Sequence, residues 1–157
     1  MVNLDNDWAT DLTLDELALA FSTAVTWSDV RPSFPECEIQ RWSPGTDSGT
    51  FDFFIENVFE SDLAPLLASS NLNQSEDDNV LLDGVAQNEC AIGYFGYAYY
   101  AENTDILNLV AIDGALPTTD TVNDGSYELA RPLYIYTAAN VIAEKPQVGQ
   151  YLLYYLN

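Results

Sequence analysis

The residues best suited to chemistry lie in a short polar loop that precedes a helix pattern. Ser48, Gly49 and Thr50 combine two hydroxyl groups with a glycine that lets the backbone approach a ligand closely. Backbone N–H groups at the start of a helix have no partner within it, and the helix dipole is positive there. The loop therefore predicts an anion site at a helix N-terminus, although Asp47 or Ser48 equally suits a simple helix cap. Apolar residues follow at helical spacing, at Phe51, Phe54, Ile55, Val58 and Phe59.

The charge of the chain limits its partners. There are 25 acidic residues against four basic ones, which gives a formal net charge of −21; the basic residues are Arg31, Arg41, Arg131 and Lys145. Nucleic acids and anionic lipids need a basic surface, so neither is an expected partner. Salt at 1 M shortens the range of the repulsion between acidic residues to about 3 Å. We therefore expect NaCl to stabilise the fold.

Length and composition indicate one domain, or one large lobe of a larger protein. The chain has 157 residues, of which 48% are hydrophobic, so it can build a core. No run of about 18 apolar residues predicts a transmembrane helix. The first eight residues lack the basic and apolar regions of a signal peptide, so we expect either a cytoplasmic protein or a missing N-terminus.

The sequence offers little for catalysis or for a metal. It has no histidine, which removes the usual general base near neutral pH and makes a zinc or copper site improbable. Neither Cys37 nor Cys90 has a basic neighbour in sequence, so no nucleophile–base pair is visible. A metal site at residues 76–78 is conceivable, but three acids in the first turn of a helix are better explained by capping and by the helix dipole. We expect no catalytic residue, no metal and no cofactor.

Strand and helix patterns alternate along the chain. We predict strands at 2–4, 38–42, from 90, at 107–112 and at 133–137; helices open with a capping box at Thr13, after Ser48, at Ser75, at 119–123 and near Pro146. Residues 27–35 are predicted to be irregular, and residues 61–74 to form a short helix or loop. The tyrosines at 94, 97, 99 and 100 either line a groove or pack in the core. The alternation predicts an α/β fold with a mainly parallel sheet flanked by helices, in which ligands bind beyond the carboxyl ends of the strands.

Several motifs together resemble one family. The chain is similar to the periplasmic phosphate-binding proteins of ABC-type phosphate transporters over nearly all its residues. The motifs are PGTDSGTFD at 44–52, SEDDNVL at 75–81, AIGYFGYAYY at 91–100 and RPLYIY at 131–136, with shorter pieces at 12–17 and 27–29. The resemblance implies a solute-binding protein that captures inorganic phosphate for an importer, with the permease subunits as partners and a periplasmic or extracellular location.

The resemblance also implies a site and a domain arrangement. The family's anion contacts fall on Ser48, Gly49 and Thr50. Many members have an arginine at the position of Pro44; its replacement here would be Arg131, or less favourably Arg41, with Thr46 adding a hydroxyl. The alternative for Arg131 is a surface ion pair. Residues 1–128 would form the second lobe of the fold and residues 129–157 a return segment belonging with the first lobe, most of which precedes the position of Val2.

Three further hypotheses remain open. Cys37 and Cys90 each precede a predicted strand, so they either form a disulfide or stay as buried thiols. The run from Asp47 to Thr50 matches the short signature of dimeric aspartic proteases, but the helix pattern that follows it argues against that enzyme. A structural or adhesive module that uses acids and tyrosines to meet another protein or Ca²⁺ is the other alternative.

Overall fold

The structure is a computed structural model that describes residues 1–131 and 135–155. The described residues form an α/β fold with a five-stranded sheet and a separate two-stranded sheet. The strands are β1 (Val2–Asn3), β2 (Asp11–Leu12), β3 (Gln40–Pro44), β4 (Leu72–Ser75), β5 (Ala91–Gly93), β6 (Leu107–Asn108) and β7 (Ala111–Ile112). The helices are α1 (Leu14–Ala20), α2 (Trp27–Val30), α3 (Gly49–Phe59), α4 (Ala64–Leu67), α5 (Asp78–Ala86), α6 (Tyr97–Ala101), α7 (Thr119–Asn123), α8 (Ala139–Glu144) and α9 (Pro146–Tyr155).

The larger sheet has the strand order β4-β3-β5-β1-β6. Strand β3 pairs in parallel with both β4 and β5, while β1 runs antiparallel to both β5 and β6. The second sheet is the parallel pair β2 and β7. The α/β class with a mainly parallel sheet is confirmed, and β1 makes the sheet mixed.

Local capping signals account for several helix starts. The capping box at α1 is confirmed: the Thr13 hydroxyl accepts from the Glu16 N–H, and the Glu16 carboxylate accepts from the Thr13 N–H. Helix α3 follows its apolar pattern and buries Phe51, Phe54 and Ile55. Helices α7 and α9 also lie where the sequence places them.

Four local expectations need correction. Residues 27–30 form a helix rather than an irregular segment, because the Asp29 carboxylate accepts from the N–H groups of Val25 and Thr26. The cap of α5 is Asp77 rather than Ser75, which ends β4. Residues 72–75 and 97–101 form a strand and a helix that the sequence did not indicate. The predicted strand at 107–112 is two strands in different sheets.

The predicted strand at 133–137 falls partly outside the described residues. Residues 133 and 134 lie outside the described residues, and residues 135–137 have no regular secondary structure. Beyond them, α8 and α9 pack against each other. In the described part of the chain, no helix has the length and apolar character needed to cross a membrane.

Buried residues near the sheet include one charged side chain. Arg41 on β3 is fully buried, and its guanidinium donates to the carbonyl oxygens of Ala20, Ala24, Ile39 and Ser70. Neutral acceptors therefore satisfy this cation inside the protein, and Arg41 holds the end of α1 to β3.

A disulfide joins the amino-terminal ends of β3 and β5. Cys37 and Cys90 form the bond with their Cα atoms 6.2 Å apart. The adjoining register pairs Gln40 with Ala91, so the two cysteines precede strands that are neighbours in the sheet. The bond lies at the end of β3 opposite the loop that leads into α3.

Candidate functional site

The predicted loop lies between the carboxyl end of β3 and the start of α3. Strand β3 ends at Pro44, and α3 begins at Gly49 with Ser48 as its N-cap. The Ser48 hydroxyl accepts from the Thr50 N–H at 3.1 Å. Helix geometry leaves the first N–H groups of α3 without acceptors inside the helix. The capping function of Ser48 is therefore observed, and it leaves the positive end of the dipole directed at the loop.

Burial differs among the residues of this loop. Ser48 is half-buried, whereas Thr46, Asp47, Gly49 and Thr50 are exposed. The loop is closed by the Ser48 N–H, which donates to the Gly45 carbonyl at 3.1 Å. The hydroxyl groups of Thr46 and Thr50 are thus accessible to a ligand from solvent.

An acidic segment borders the same loop. The Gly45 N–H donates to the Ser75 carbonyl, and a Cβ atom at residue 45 would lie 1.9 Å from the Glu76 carboxylate oxygen. The Glu76 carboxylate occupies the space that a side chain at residue 45 would take, so a larger residue there would have to displace it. The loop therefore combines a positive helix end with a carboxylate in contact with its first glycine.

Capping explains one of the three acids at 76–78. Asp77 caps α5 by accepting from the Asn79 N–H at 3.0 Å. The pKa of Asp78 is raised, chiefly by burial, while a hydrogen bond from the Gly96 N–H opposes the shift and the charges of Asp77 and Glu76 add to it. Among the described residues, no group of histidine, cysteine, aspartate or glutamate could hold a metal ion.

Aromatic residues pack beside the loop. The buried Ser43 hydroxyl lies 2.7 Å from the Tyr94 hydroxyl, and the Tyr94 ring stacks on Phe54 with centroids 3.8 Å apart. Burial raises the pKa of Tyr94, so its phenol stays protonated. Tyr94 therefore packs between β3 and α3, a role that the sequence left open.

Two concave regions meet at Thr50. One is an apolar cavity of about 170 Å³ lined by aliphatic and aromatic side chains, the aromatic ones including Phe53, Phe54, Tyr94, Tyr97 and Tyr127. The other is a more open cleft of about 440 Å³ bordered by Thr50, Phe53, Thr118, Asn123 and Arg131. The start of α3 therefore lies at the edge of the cleft, where a ligand can reach it.

The two arginines considered for the site have different surroundings. Arg131 lies at the start of α3: its Nη2 donates to the Gly49 carbonyl at 2.9 Å, and its guanidinium carbon lies 5.2 Å from the Phe53 ring centroid. Arg41 is enclosed by backbone carbonyls within the core. The structure thus brings Arg131 to the loop and contradicts a binding role for Arg41.

The environment of Asp47 argues against the aspartic protease alternative. Asp47 is exposed, and the residues that follow it form α3 rather than a strand. An aspartic protease holds this aspartate just after an apolar strand, and here Gly45 and Thr46 separate it from β3.

The chain is similar in sequence to one protein family and to curated relatives. The sequence model of the PBP superfamily domain matches residues 1–157. The phosphate-binding protein PstS of Staphylococcus saprophyticus is 44% identical over 142 residues, which are 87% of this chain and 43% of that protein. Protein SphX of Synechocystis sp. is 38% identical over 98% of this chain and 48% of its own length. The chain spans about half the length of the curated relatives it matches.

Solved structures show the same similarity. A possible phosphate-binding protein from Planctomyces limnophilus superposes with a TM-score of 0.74 at 35% identity, covering 99% of this chain and 57% of that chain. A putative phosphate ABC transporter substrate-binding protein from Clostridium perfringens, solved with bound phosphate, gives a TM-score of 0.70 at 27% identity, covering 82% of this chain and 50% of that chain.

Proposed function

Because the chain belongs to the PBP superfamily, whose domain model matches all 157 residues, we propose that it binds inorganic phosphate as part of the solute-binding component of an ABC phosphate importer. The observation that carries this proposal is the position of Ser48, Gly49 and Thr50 at the N-terminus of α3, directly beyond β3. Beyond the carboxyl ends of parallel strands is where open α/β sheets bind their ligands.

The chemistry of the loop suits a phosphate oxygen. Backbone N–H groups at the start of α3 and the hydroxyls of Ser48 and Thr50 are donors, and the helix dipole favours negative charge there. Thr46 is exposed in the same loop and adds a further hydroxyl. The Thr50 N–H, which now donates to Ser48, would turn to the anion when phosphate binds.

The acidic surface does not prevent this binding. Charges on the protein surface are screened beyond about 8 Å at physiological salt, whereas the donors of the loop act at contact distance. Charge-assisted hydrogen bonds then hold the anion. The net charge of −21 slows the encounter with phosphate more than it weakens the bound state.

The same proposal extends to the partners of the protein and to its location. We expect transporter permease subunits as partners, a periplasmic or extracellular location, and binding without catalysis. Residues 1–128 would form the second lobe of the complete protein, and residues 129–157 would return to the first lobe. PstS of Staphylococcus saprophyticus is named a phosphate-binding protein and the Clostridium perfringens protein a putative substrate-binding protein, and both names support a binding role.

Isothermal titration with inorganic phosphate tests the site. We expect the wild-type chain to bind and the Ser48→Ala/Thr50→Val variant to lose affinity at least tenfold, about 1.4 kcal/mol. Thr13→Ala is the matched control, since it removes a capping hydroxyl from α1 without touching the loop. Circular dichroism verifies that each variant is folded.

Two outcomes would contradict the proposal. A folded wild-type chain that gives no heat with millimolar phosphate would overturn phosphate binding by this chain. Equal affinity in the wild type and the double variant would place the phosphate elsewhere. Thermal stabilisation by Ca²⁺ but not by phosphate would instead favour the adhesive module.

A further inference from the structure

We infer that the apolar cavity beside α3 is a binding site for a small uncharged organic molecule that has an aromatic or aliphatic body and one hydrogen-bond acceptor. Neither the location nor the chemistry of this site depends on the phosphate binding proposed above. Three features of the cavity point to such a ligand: its volume, its lining, and a tyrosine hydroxyl that has no partner among the described residues.

The volume of the cavity suits one small molecule. The space between the lining side chains measures about 170 Å³. A dry cavity of about 150 Å³ lined by aliphatic and aromatic side chains is large enough to bind benzene. An empty cavity is unfavourable because the side chains around it lack dispersion contacts on one side. A guest of the size of benzene or phenol restores those contacts.

The lining determines which kind of guest the cavity accepts. It contains several buried apolar side chains, namely Leu17, Phe21, Ile92, Val110 and Ile112. Within the part of the chain that the structure describes, no side chain of the lining carries a charge. A charged guest would lose its hydration without gaining a partner. We therefore expect the cavity to exclude ions, phosphate among them, and to favour an uncharged molecule.

Tyr127 gives the cavity a hydrogen-bond donor. Burial raises the pKa of its phenol to about 12, so the hydroxyl stays protonated at neutral pH. No described residue accepts a hydrogen bond from this hydroxyl, although a tyrosine hydroxyl withdrawn from solvent usually has a partner. The hydroxyl of Tyr94, which also lines the cavity, already pairs with Ser43. A guest with one acceptor atom would pair with Tyr127 and be oriented by it.

A guest can reach the cavity from the neighbouring cleft. The residues that line both spaces are Thr50, Phe53, Phe95, Tyr97, Pro117 and Leu129. The cavity and the cleft therefore share a wall, and Tyr97 on this wall is 48% exposed. Exposed side chains change rotamer rapidly, so we expect entry without unfolding of the chain.

Titration calorimetry with phenol and with benzene tests this site. We expect the wild-type chain to bind one equivalent of either probe, and to bind phenol more tightly because only phenol can accept from Tyr127. Tyr127→Phe keeps the ring and removes the hydroxyl. It should weaken phenol binding about fivefold, which corresponds to one net hydrogen bond, and leave benzene binding unchanged. Val110→Phe fills the cavity and should weaken both probes about tenfold or more.

Tyr100→Phe is the matched control, because it removes a tyrosine hydroxyl that lines neither the cavity nor the cleft. It should bind both probes as the wild type does. Circular dichroism verifies that each variant is folded, and Tyr127→Phe still decides the test if Val110→Phe does not fold.

Three results would overturn the inference. The first is a folded wild-type chain that gives no heat with either probe near its solubility limit. The second is equal affinity of the wild type and folded Val110→Phe, which would place the probes elsewhere. The third is equal affinity for phenol in the wild type and Tyr127→Phe, which would remove the hydrogen bond assigned to Tyr127. None of these results bears on phosphate binding at the loop before α3, which its own titration decides.

Discussion

At the scale of single residues, Arg41 shows how the fold accommodates a buried charge. Burial lowers its pKa to about 10, so the guanidinium is still protonated at neutral pH. Its acceptors are neutral carbonyls, and one of them belongs to Ala20, the last residue of α1. The negative end of a helix dipole favours a cation there, and this offsets part of the cost of burial.

Replacing Arg41 should therefore be costly. We expect Arg41→Met to lower the free energy of unfolding by about 3 kcal/mol or more, because several buried carbonyls lose their donors at once. Urea denaturation measures the loss. Arg31→Met is the control, since Arg31 lies in an ion pair near the surface, whose removal should cost about 1 kcal/mol or less. Similar losses in the two variants would contradict the role given to Arg41.

Sequence could indicate the loop residues but could not separate the arginines. Ser48, Gly49 and Thr50 are recognisable because their chemistry is local: small donors stand directly before a helical pattern. Arg41 and Arg131 are the same residue type, and each precedes or lies in a strand pattern. What distinguishes them is which distant carbonyls or rings they meet, and that depends on the tertiary fold.

At the scale of elements, α5 lies unusually close to β3. A Cβ atom on Gly84 would come within 2.2 Å of the Trp42 ring. The helix and the strand therefore touch through a glycine on one side and an indole on the other. Glycine inside a helix normally weakens it, so its presence in α5 follows from this close approach.

Gly84→Ala tests that packing. In an exposed helix the change would stabilise by about 1 kcal/mol. Here we expect it to destabilise by about 1–3 kcal/mol, because the methyl group must displace Trp42. Thermal unfolding with a Gly84→Ala/Trp42→Leu double variant completes the test. The smaller side chain should remove most of the penalty of the alanine, and a stabilising Gly84→Ala alone would show that the helix can shift away.

Elements with a local cause were predictable, and those with a distant cause were not. The capping box of α1 and the apolar spacing of α3 depend only on residues that are close together in the sequence. Residues 107–112 look like one strand, yet β6 pairs with β1 and β7 pairs with β2. Sequence pattern reports that residues are extended and apolar, but it does not choose their partner.

At the scale of the whole molecule, the charge is nearly uncompensated. The net charge is −21, and the one salt bridge among the described residues joins Arg31 to Glu16. Mutual repulsion of the acids therefore opposes the compact state. The mixed sheet is another feature of this scale that sequence did not reveal, because the antiparallel direction of β1 is set by strands about ninety residues away.

Salt should relieve that repulsion. Between low salt and 2 M NaCl we expect the melting temperature to rise by about 5 °C, which corresponds to about 1–2 kcal/mol for a chain of this size. KCl at the same ionic strength should give the same rise if screening is the cause. Melting curves followed by circular dichroism measure the effect, and a flat response to both salts would rule out repulsion as a major term.

The pairing of β1 also determines when the sheet can form during synthesis. Val2 pairs with Ile92 on one side and with Asn108 on the other, so β1 lies between two strands that follow it much later in the chain. Contacts of such long sequence separation form slowly, and exposed strand edges invite aggregation until they form. The five-stranded sheet cannot be completed before residue 108 has been synthesised, and a chaperone that shields β1 would act in that interval.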